Sequence, residues 1–517
     1  MALAPLLVAL AGATLPRALA LGFVTGVIYF TGTLYWITRV MAVYGGLQPV
    51  VATLVNALLI LYLALFPALF ALLARRLIAS YGPRALLAAP LVWISTELGR
   101  TYLLTGFPWV LLGYSQVAVL PVAQAASLFG VYGLSALVAA VSAAIAYVVV
   151  ANQGPAEAGH YAPAEAGHYD GGRFAVVSAF RRTVPLAVVL VLVLGLSAWG
   201  SYRVARGDLT SGGTPVRVAL VQGNVEQGQK WDPRRATDIF ENYLRMTRQA
   251  IADGAGLVVW PESATPFTFE SEPAAAETIR RIARDARVPI LLGSDQIERG
   301  APARYYNSAY LVRADGSTGG VYRKMHLVPF GEYVPMKRLL FFAAPLVEAV
   351  SDFSAGESAV LLPIDGHPIS TAICYEIVYP DLVRRFVAAG SELLTTITND
   401  AWFGDTSAPY QHFAQASMRA IENGRYLVRA ANTGISGVVD PYGRVVVQSG
   451  LFEPTVVTGT VYYRTERTLY TRIGDVFAYG SALITLAMLL FKISDLRIKI
   501  GKRGAGRQSR PGRQSSL

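Results

Sequence analysis

Cys374 is the only cysteine in this chain of 517 residues, so no disulfide can form within it. Histidine is scarce too. The five histidines and one cysteine make no recognisable metal-ligand spacing, so neither a metal nor any other cofactor is expected. No phosphate-cradling loop of Walker type is visible. Charged residues make up 15% of the chain against 53% hydrophobic, with a mean hydropathy of +0.41, which is too apolar for a water-soluble protein of this length. The net charge of +11 does not point to nucleic acid. Many of the basic residues flank apolar segments or sit in the tail from Lys492 to Arg513, and no basic helix or aromatic-basic RNA motif accompanies them.

What the chain does have is long apolar runs. Measured against the roughly 20 residues that a spanning helix needs, they lie near Met1 to Leu15, Ala18 to Thr38, Pro49 to Leu73, Ala85 to Leu98, Val117 to Val150, Val184 to Tyr202 and Val476 to Phe491. The first resembles a signal peptide in length but lacks a basic start, and a second apolar run follows at once. About six spans are expected in residues 1–203 and one more in 474–492, followed by a basic cytoplasmic tail, 493–517. Arg75, Arg76 and Arg84 in one loop, Arg173, Arg181 and Arg182 in another, and the tail itself mark the cytoplasmic side. That orientation puts the segment between Tyr202 and Val476 on the outer face. The loop 152–173 repeats a seven-residue unit, Pro155 to Tyr161 and Pro163 to Tyr169, and reads as a flexible linker in which His160 and His168 are incidental.

Between Pro215 and Tyr463 short β-type runs alternate with helical patterns. Val216–Gln222, Gly256–Trp260, Pro289–Gly293, Ser370–Cys374 and Leu393–Thr398 read as buried strands, and Arg234–Asp253, Ala274–Ala286 and Tyr410–Asn423 as helices. Residues 215–465 are therefore expected to form an α/β domain with its own core.

Three strand ends in it are chemically loaded. Glu262 follows an apolar strand and a proline, as either a helix cap or a general base. Lys324 and Glu332 fall in a segment dense with polar and aromatic residues, Tyr322 to Pro335. There a lysine can hold an oxyanion or lower a thiol's pKa, or simply be solvated. Cys374 ends a strand and is followed by Tyr375 and Glu376, so it is either inert core or a thiol facing a cleft. Base, cation and thiol together are what acyl transfer through sulfur requires. His326 and His412 remain alternative bases, and a ligand-binding receptor or scaffold remains an alternative to an enzyme.

The segments Trp-Pro-Glu262, Arg-Lys324-Met-His-Leu-Val-Pro-Phe-Gly-Glu332 and Ile-Cys374-Tyr-Glu376 resemble the three catalytic blocks of the nitrilase (carbon–nitrogen hydrolase) superfamily. Within it, the multi-span N-terminal region, Thr105-Gly-Phe-Pro-Trp109, Gly113-Tyr-Ser-Gln116 and Asn399-Asp-Ala-Trp-Phe-Gly404 resemble the bacterial apolipoprotein N-acyltransferases. The resemblance implies a multi-span α-helical membrane domain plus an α/β nitrilase-like αββα sandwich domain. It implies a Glu262, Lys324 and Cys374 triad, with Glu332, Tyr375, Glu376 and Trp231 as supporting residues. It also implies the substrates: a phospholipid acyl donor and a diacylated apolipoprotein acceptor, met at the outer face of a bacterial inner membrane. Against that family the chain is expected to begin at the second span, with the duplicated loop as an insertion. Leu339 to Pro345 is a candidate wall for acyl chains and Phe330 to Asp352 a candidate lid.

Overall fold

The computed structural model describes residues 3–153, 171–333 and 352–505. The duplicated units, the run Leu339–Pro345, all but the ends of the Phe330–Asp352 segment and the last twelve residues lie outside the described residues.

Among the described residues, four helices are long and apolar enough to cross a membrane: Leu15–Leu34, Pro49–Tyr81, Ala126–Asn152 and Arg182–Arg206. Val476–Phe491 is a shorter apolar stretch that opens the helix Val476–Ala505. Two expected spans come out differently. Met1–Leu15 carries an eight-residue helix, Ala4–Ala11, ended at Gly12 and about 12 Å long at 1.5 Å per residue. Ala85–Leu98 is split between a 3-10 turn, Pro83–Ala88, which follows the end of helix Pro49–Tyr81 at Gly82, and the 14-residue helix Ala89–Tyr102. Helices Leu15–Leu34 and Pro49–Tyr81 touch at Gly22 and Gly26. A Cβ at Gly22 would lie 2.5 Å from Ala71 Cβ, and one at Gly26 would lie 2.7 Å from Ala64 Cα. Small residues one turn apart let two backbones meet where lipid offers no hydrophobic drive.

The α/β part contains strands β1 (Pro215–Gln222), β2 (Leu257–Val259), β3 (Ile290–Glu298), β4 (Arg304–Val312), β5 (Thr318–Arg323), β6 (Leu362–Ile364), β7 (His367–Ile373), β8 (Leu393–Thr398), β9 (Leu427–Ala431), β10 (Gly437–Val439), β11 (Val445–Gln448) and β12 (Thr455–Tyr462). They form two six-stranded sheets, ordered β12-β1-β2-β3-β4-β5 and β11-β10-β9-β8-β7-β6. Period-two alternation places both faces. Val218 and Leu220 of β1 join Ile369, Leu393 and Ile397 in the core between the sheets, whereas Ala219 and Val221 face Tyr243 and Leu244 of helix Ala236–Ala252. Helix Pro273–Ala286 covers the same sheet, and helices Pro380–Ala388 and Ala408–Asn423 cover the other, completing an αββα sandwich.

Helix Ala408–Asn423 also joins the sandwich to the membrane helices. Gln411 Oε1 accepts from Trp109 Nε1 at 2.7 Å and from Trp36 Nε1 at 3.2 Å, while its Nε2 donates to the Thr33 carbonyl at 3.1 Å. Glu422 Oε1 accepts the Val131 N–H at 2.8 Å.

Candidate active site

In this sandwich β1, β2 and β3 run parallel, as do β7, β8 and β9, so the ends of β2, β7 and β8 offer their loops to one cleft. Glu262 lies just past β2, and the turn it occupies continues into Ser263 at φ +43°. Cys374 follows β7 directly at φ +52°, in the left-handed region that a residue with a Cβ seldom adopts. Lys324 follows β5, with its N–H bonded to the Asn307 carbonyl on β4 at 2.8 Å.

Glu262 and Lys324 meet in a buried polar cluster. Lys324 is 1% exposed, and its Nζ donates to Glu332 Oε1 at 2.9 Å and to Glu262 Oε1 at 3.5 Å. Asn307 Nδ2 bridges the same two carboxylate oxygens, at 2.7 Å to Glu262 and 3.0 Å to Glu332. The other oxygen of Glu262 accepts the Asn399 N–H at 2.8 Å, and that of Glu332 accepts the Val328 N–H at 2.8 Å. Burial pushes the Glu262 pKa up, but Lys324, Lys230 and these donors outweigh it and leave it below the usual carboxylate value. Burial likewise works against the Lys324 ammonium, yet Glu332 and Glu262 hold its pKa above that of an ordinary lysine. For Cys374, burial and then the Glu262 charge raise the thiol well above its normal value against the pull of Lys324, so the resting group keeps its proton.

Glu376 is fully buried and ties two of these segments together. Its Oε1 accepts from the Tyr322 hydroxyl at 2.7 Å and from the N–H groups of Met325 and His326 at 2.7 and 3.1 Å. Its Oε2 accepts the Ile373 N–H at 2.7 Å. Burial pushes this carboxyl up to about 7, while the four donors aimed at it favour the ionised form. The residue thus clamps the approach to Cys374 against the loop that follows Lys324.

Both histidines have contacts of their own beside the site. His412 Nε2 lies 3.2 Å from the Cys374 carbonyl oxygen, and Nδ1 faces Asp400 at 3.1 Å and Arg429 at 3.0 Å. Burial and Arg429 lower its pKa, so the neutral ring donates from Nε2 to that carbonyl. His326 sits with its ring centroid 3.8 Å from that of Tyr379, and burial and Lys324 lower it to about 4. Tyr375 is buried and stacks on Trp109 at 6.2 Å, with Phe107 at 6.5 Å; its neighbour Tyr379 donates to the Gly106 carbonyl at 3.1 Å. The loop that follows helix Ala89–Tyr102 therefore supplies an aromatic wall beside the thiol's own turn. Trp231 is 50% exposed, and the Lys230 ammonium lies 5.8 Å from its ring.

The N-terminal domain model of apolipoprotein N-acyltransferases matches residues 1–144, and the carbon-nitrogen hydrolase model matches residues 217–468. An apolipoprotein N-acyltransferase of Geobacter metallireducens is 41% identical over 502 residues, covering 95% of this chain and 90% of that protein. The chain belongs to the apolipoprotein N-acyltransferase family. A member from Methylococcus capsulatus is 35% identical over 509 residues, covering 96% of this chain and 91% of its own, and one from Brucella melitensis is 36% identical over 438 residues, covering 83% and 76%. The carbon-nitrogen hydrolase match runs from within β1 through β12.

Sequence reasoning missed Asn307, Asn399 and Lys230 as parts of the site. Asn307 carried a signal, since an amide inside the strand Arg304–Val312 must find partners when buried. Lys230 carried none, because a lysine beside an exposed tryptophan reads as surface.

Proposed function

We propose that this chain transfers a fatty acyl group from a membrane phospholipid to the N-terminal amine of a diacylglyceryl-cysteine lipoprotein, through a thioester on Cys374. In the first half-reaction the Cys374 sulfur attacks the donor's ester carbonyl while Glu262 takes the thiol proton. Lys324, held against Glu332, faces the oxygen on which negative charge develops. The ester C–O bond then breaks, Glu262 returns the proton to the leaving alkoxide, and a lysophospholipid departs. In the second, the acceptor amine attacks the thioester carbonyl, Glu262 takes a proton from nitrogen, the C–S bond breaks, and the thiolate is reprotonated.

The observation that carries this reading is the buried contact between Glu262 and Lys324, whose charges act on Cys374, with Tyr375, Trp109 and Phe107 beside the thiol's turn. An aromatic wall on the loop after helix Ala89–Tyr102 suits acyl chains that never leave an apolar phase. In the same reading residues 215–465 face the outer side of a bacterial inner membrane, residues 1–203 and 474–492 anchor them, and the Arg/Lys distribution supports that orientation.

The test is to incubate the purified protein with phospholipid, quench, and analyse the Cys374 peptide by mass spectrometry. An acyl adduct on Cys374 that is lost on adding a diacylated lipopeptide, with triacylated peptide formed, is the expected result. Free fatty acid as the only product would replace the transferase with a hydrolase.

A further inference from the structure

Lys230 lies in the loop between β1 and helix Ala236–Ala252, is 5% exposed, and has one hydrogen-bond acceptor among the described residues, the main-chain carbonyl of Glu262 at 3.1 Å. A lysine ammonium is costly to bury, and one with a single acceptor is costlier still. The charges around it account for its presence.

Two carboxylates, Glu262 and Glu332, share the single ammonium of Lys324, which lies closer to Glu332 (2.9 Å) than to Glu262 (3.5 Å). That trio carries a net charge of −1, and Asp295, bonded to the Ser263 hydroxyl at 2.8 Å, adds further negative potential. With Lys324 alone, one carboxylate has to accept a proton, and Glu262, the more weakly paired, is that one. A second cation beside it balances the Glu262–Glu332–Lys324 trio and leaves Asp295 as the excess charge. The same contact acts on geometry, because the carbonyl bound by Lys230 belongs to the peptide that leads into Ser263 at φ +43°, a conformation that persists only when its surroundings enforce it.

We infer that Lys230 is a positioning residue for Glu262, whose ammonium holds the turn carrying the base through its main-chain carbonyl and supplies the second positive charge beside its carboxylate. The inference deepens the reading in which Glu262 takes the Cys374 proton, and rests on it. The groups that face Glu262 are Lys324, Lys230, Asn307, the Asn399 N–H, Cys374 and Asp295, and Glu332 joins through Asn307 and Lys324. Of these, Lys230 and Lys324 are the cations.

The test measures acylation of Cys374 by phospholipid across pH 5 to 9 in the wild-type chain, Lys230→Gln and Lys230→Arg. The wild-type rate should show no acid limb above pH 5. In Lys230→Gln, which keeps a donor for the carbonyl but removes the charge, an acid limb should enter the window, displaced upward by roughly one pH unit or more and slowing the reaction about tenfold at its lower end. Lys230→Arg should restore the flat acid side. Three outcomes overturn the inference: Lys230→Gln matching the wild type, Lys230→Gln slowed by one factor at every pH, or neither variant folding, which assigns Lys230 to the fold alone. A wild-type chain that forms no thioester at any pH sinks the Glu262–Cys374 reading itself and is told apart by that control.

Discussion

Replacing Glu376 by Gln changes one atom and should disable the site. The carboxylate accepts four hydrogen bonds and donates none, three on Oε1 and one, from Ile373, on Oε2. Glutamine can keep its oxygen toward Tyr322, Met325 and His326, but its NH2 then faces the Ile373 N–H. Two buried donors meet with no acceptor between them, at about 1–3 kcal/mol for each polar group left unpaired, so roughly 2–6 kcal/mol in all. Ile373 immediately precedes Cys374, which stands at φ +52°, so the relaxation falls on the thiol. If the whole cost appears in the transition state, thioester formation slows by about 30-fold to over 10,000-fold. The assay is single-turnover acylation of Cys374 by phospholipid, run beside thermal unfolding in detergent. The acylation rate should drop while Tm falls by only a few degrees. Wild-type acylation by Glu376→Gln would refute the clamp.

Glu262→Gln should reduce acylation by about 100-fold or more, the usual range for a general base, while His326→Ala retains most of it. The reverse ranking in the same assay would move the base to imidazole. Asp400, buried against Arg429 at 2.7 Å, has a pKa that burial raises but that Arg429 and His412 hold below the ordinary value. Its stabilising contribution is therefore complete above the unfolded-state pKa of about 4 and is lost as pH falls through the lower folded value. Between pH 5 and 8 the Asp400–Arg429 contribution should be constant, and Asp400→Asn should cost about 3–5 kcal/mol throughout that window, checked by denaturant unfolding at pH 5 and 8. Gly26→Val, whose Cβ would lie 2.7 Å from Ala64 Cα, should separate helices Leu15–Leu34 and Pro49–Tyr81 and lower thermal stability measurably, whereas substitution at Gly32, which has open space around it, should not.

Much of the sandwich was legible in sequence because its signals are local. Leu393–Thr398 emerges as a strand over those same residues, and the expected helix Ala274–Ala286 begins one residue earlier, at Pro273. Period-two and helical spacing are written by each segment's own burial, so no distant residue is needed to see them. The membrane part was less legible. Hydropathy marks every apolar stretch alike, but the first helix ends at Gly12, Ala85–Leu98 folds partly as a 3-10 turn, and the helix that the Val117–Val150 run predicts begins only at Ala126.

The sequence by itself determined that Cys374 is the one available thiol, and that Glu262 and Lys324 stand at strand ends as a carboxylate and a cation. Each of those is a property of a residue and its immediate neighbours. Only the tertiary structure decided what surrounds them: Asn307 bridging two carboxylates, Glu376 clamping Ile373 to the Lys324 loop, Trp109 stacked on Tyr375, and Lys230 on the Glu262 carbonyl. The partners in these contacts are up to 266 positions apart in sequence, as Trp109 and Tyr375 are. No local pattern encodes such pairs, because what brings them together is the packing of two sheets and a helical bundle around one buried set of charges.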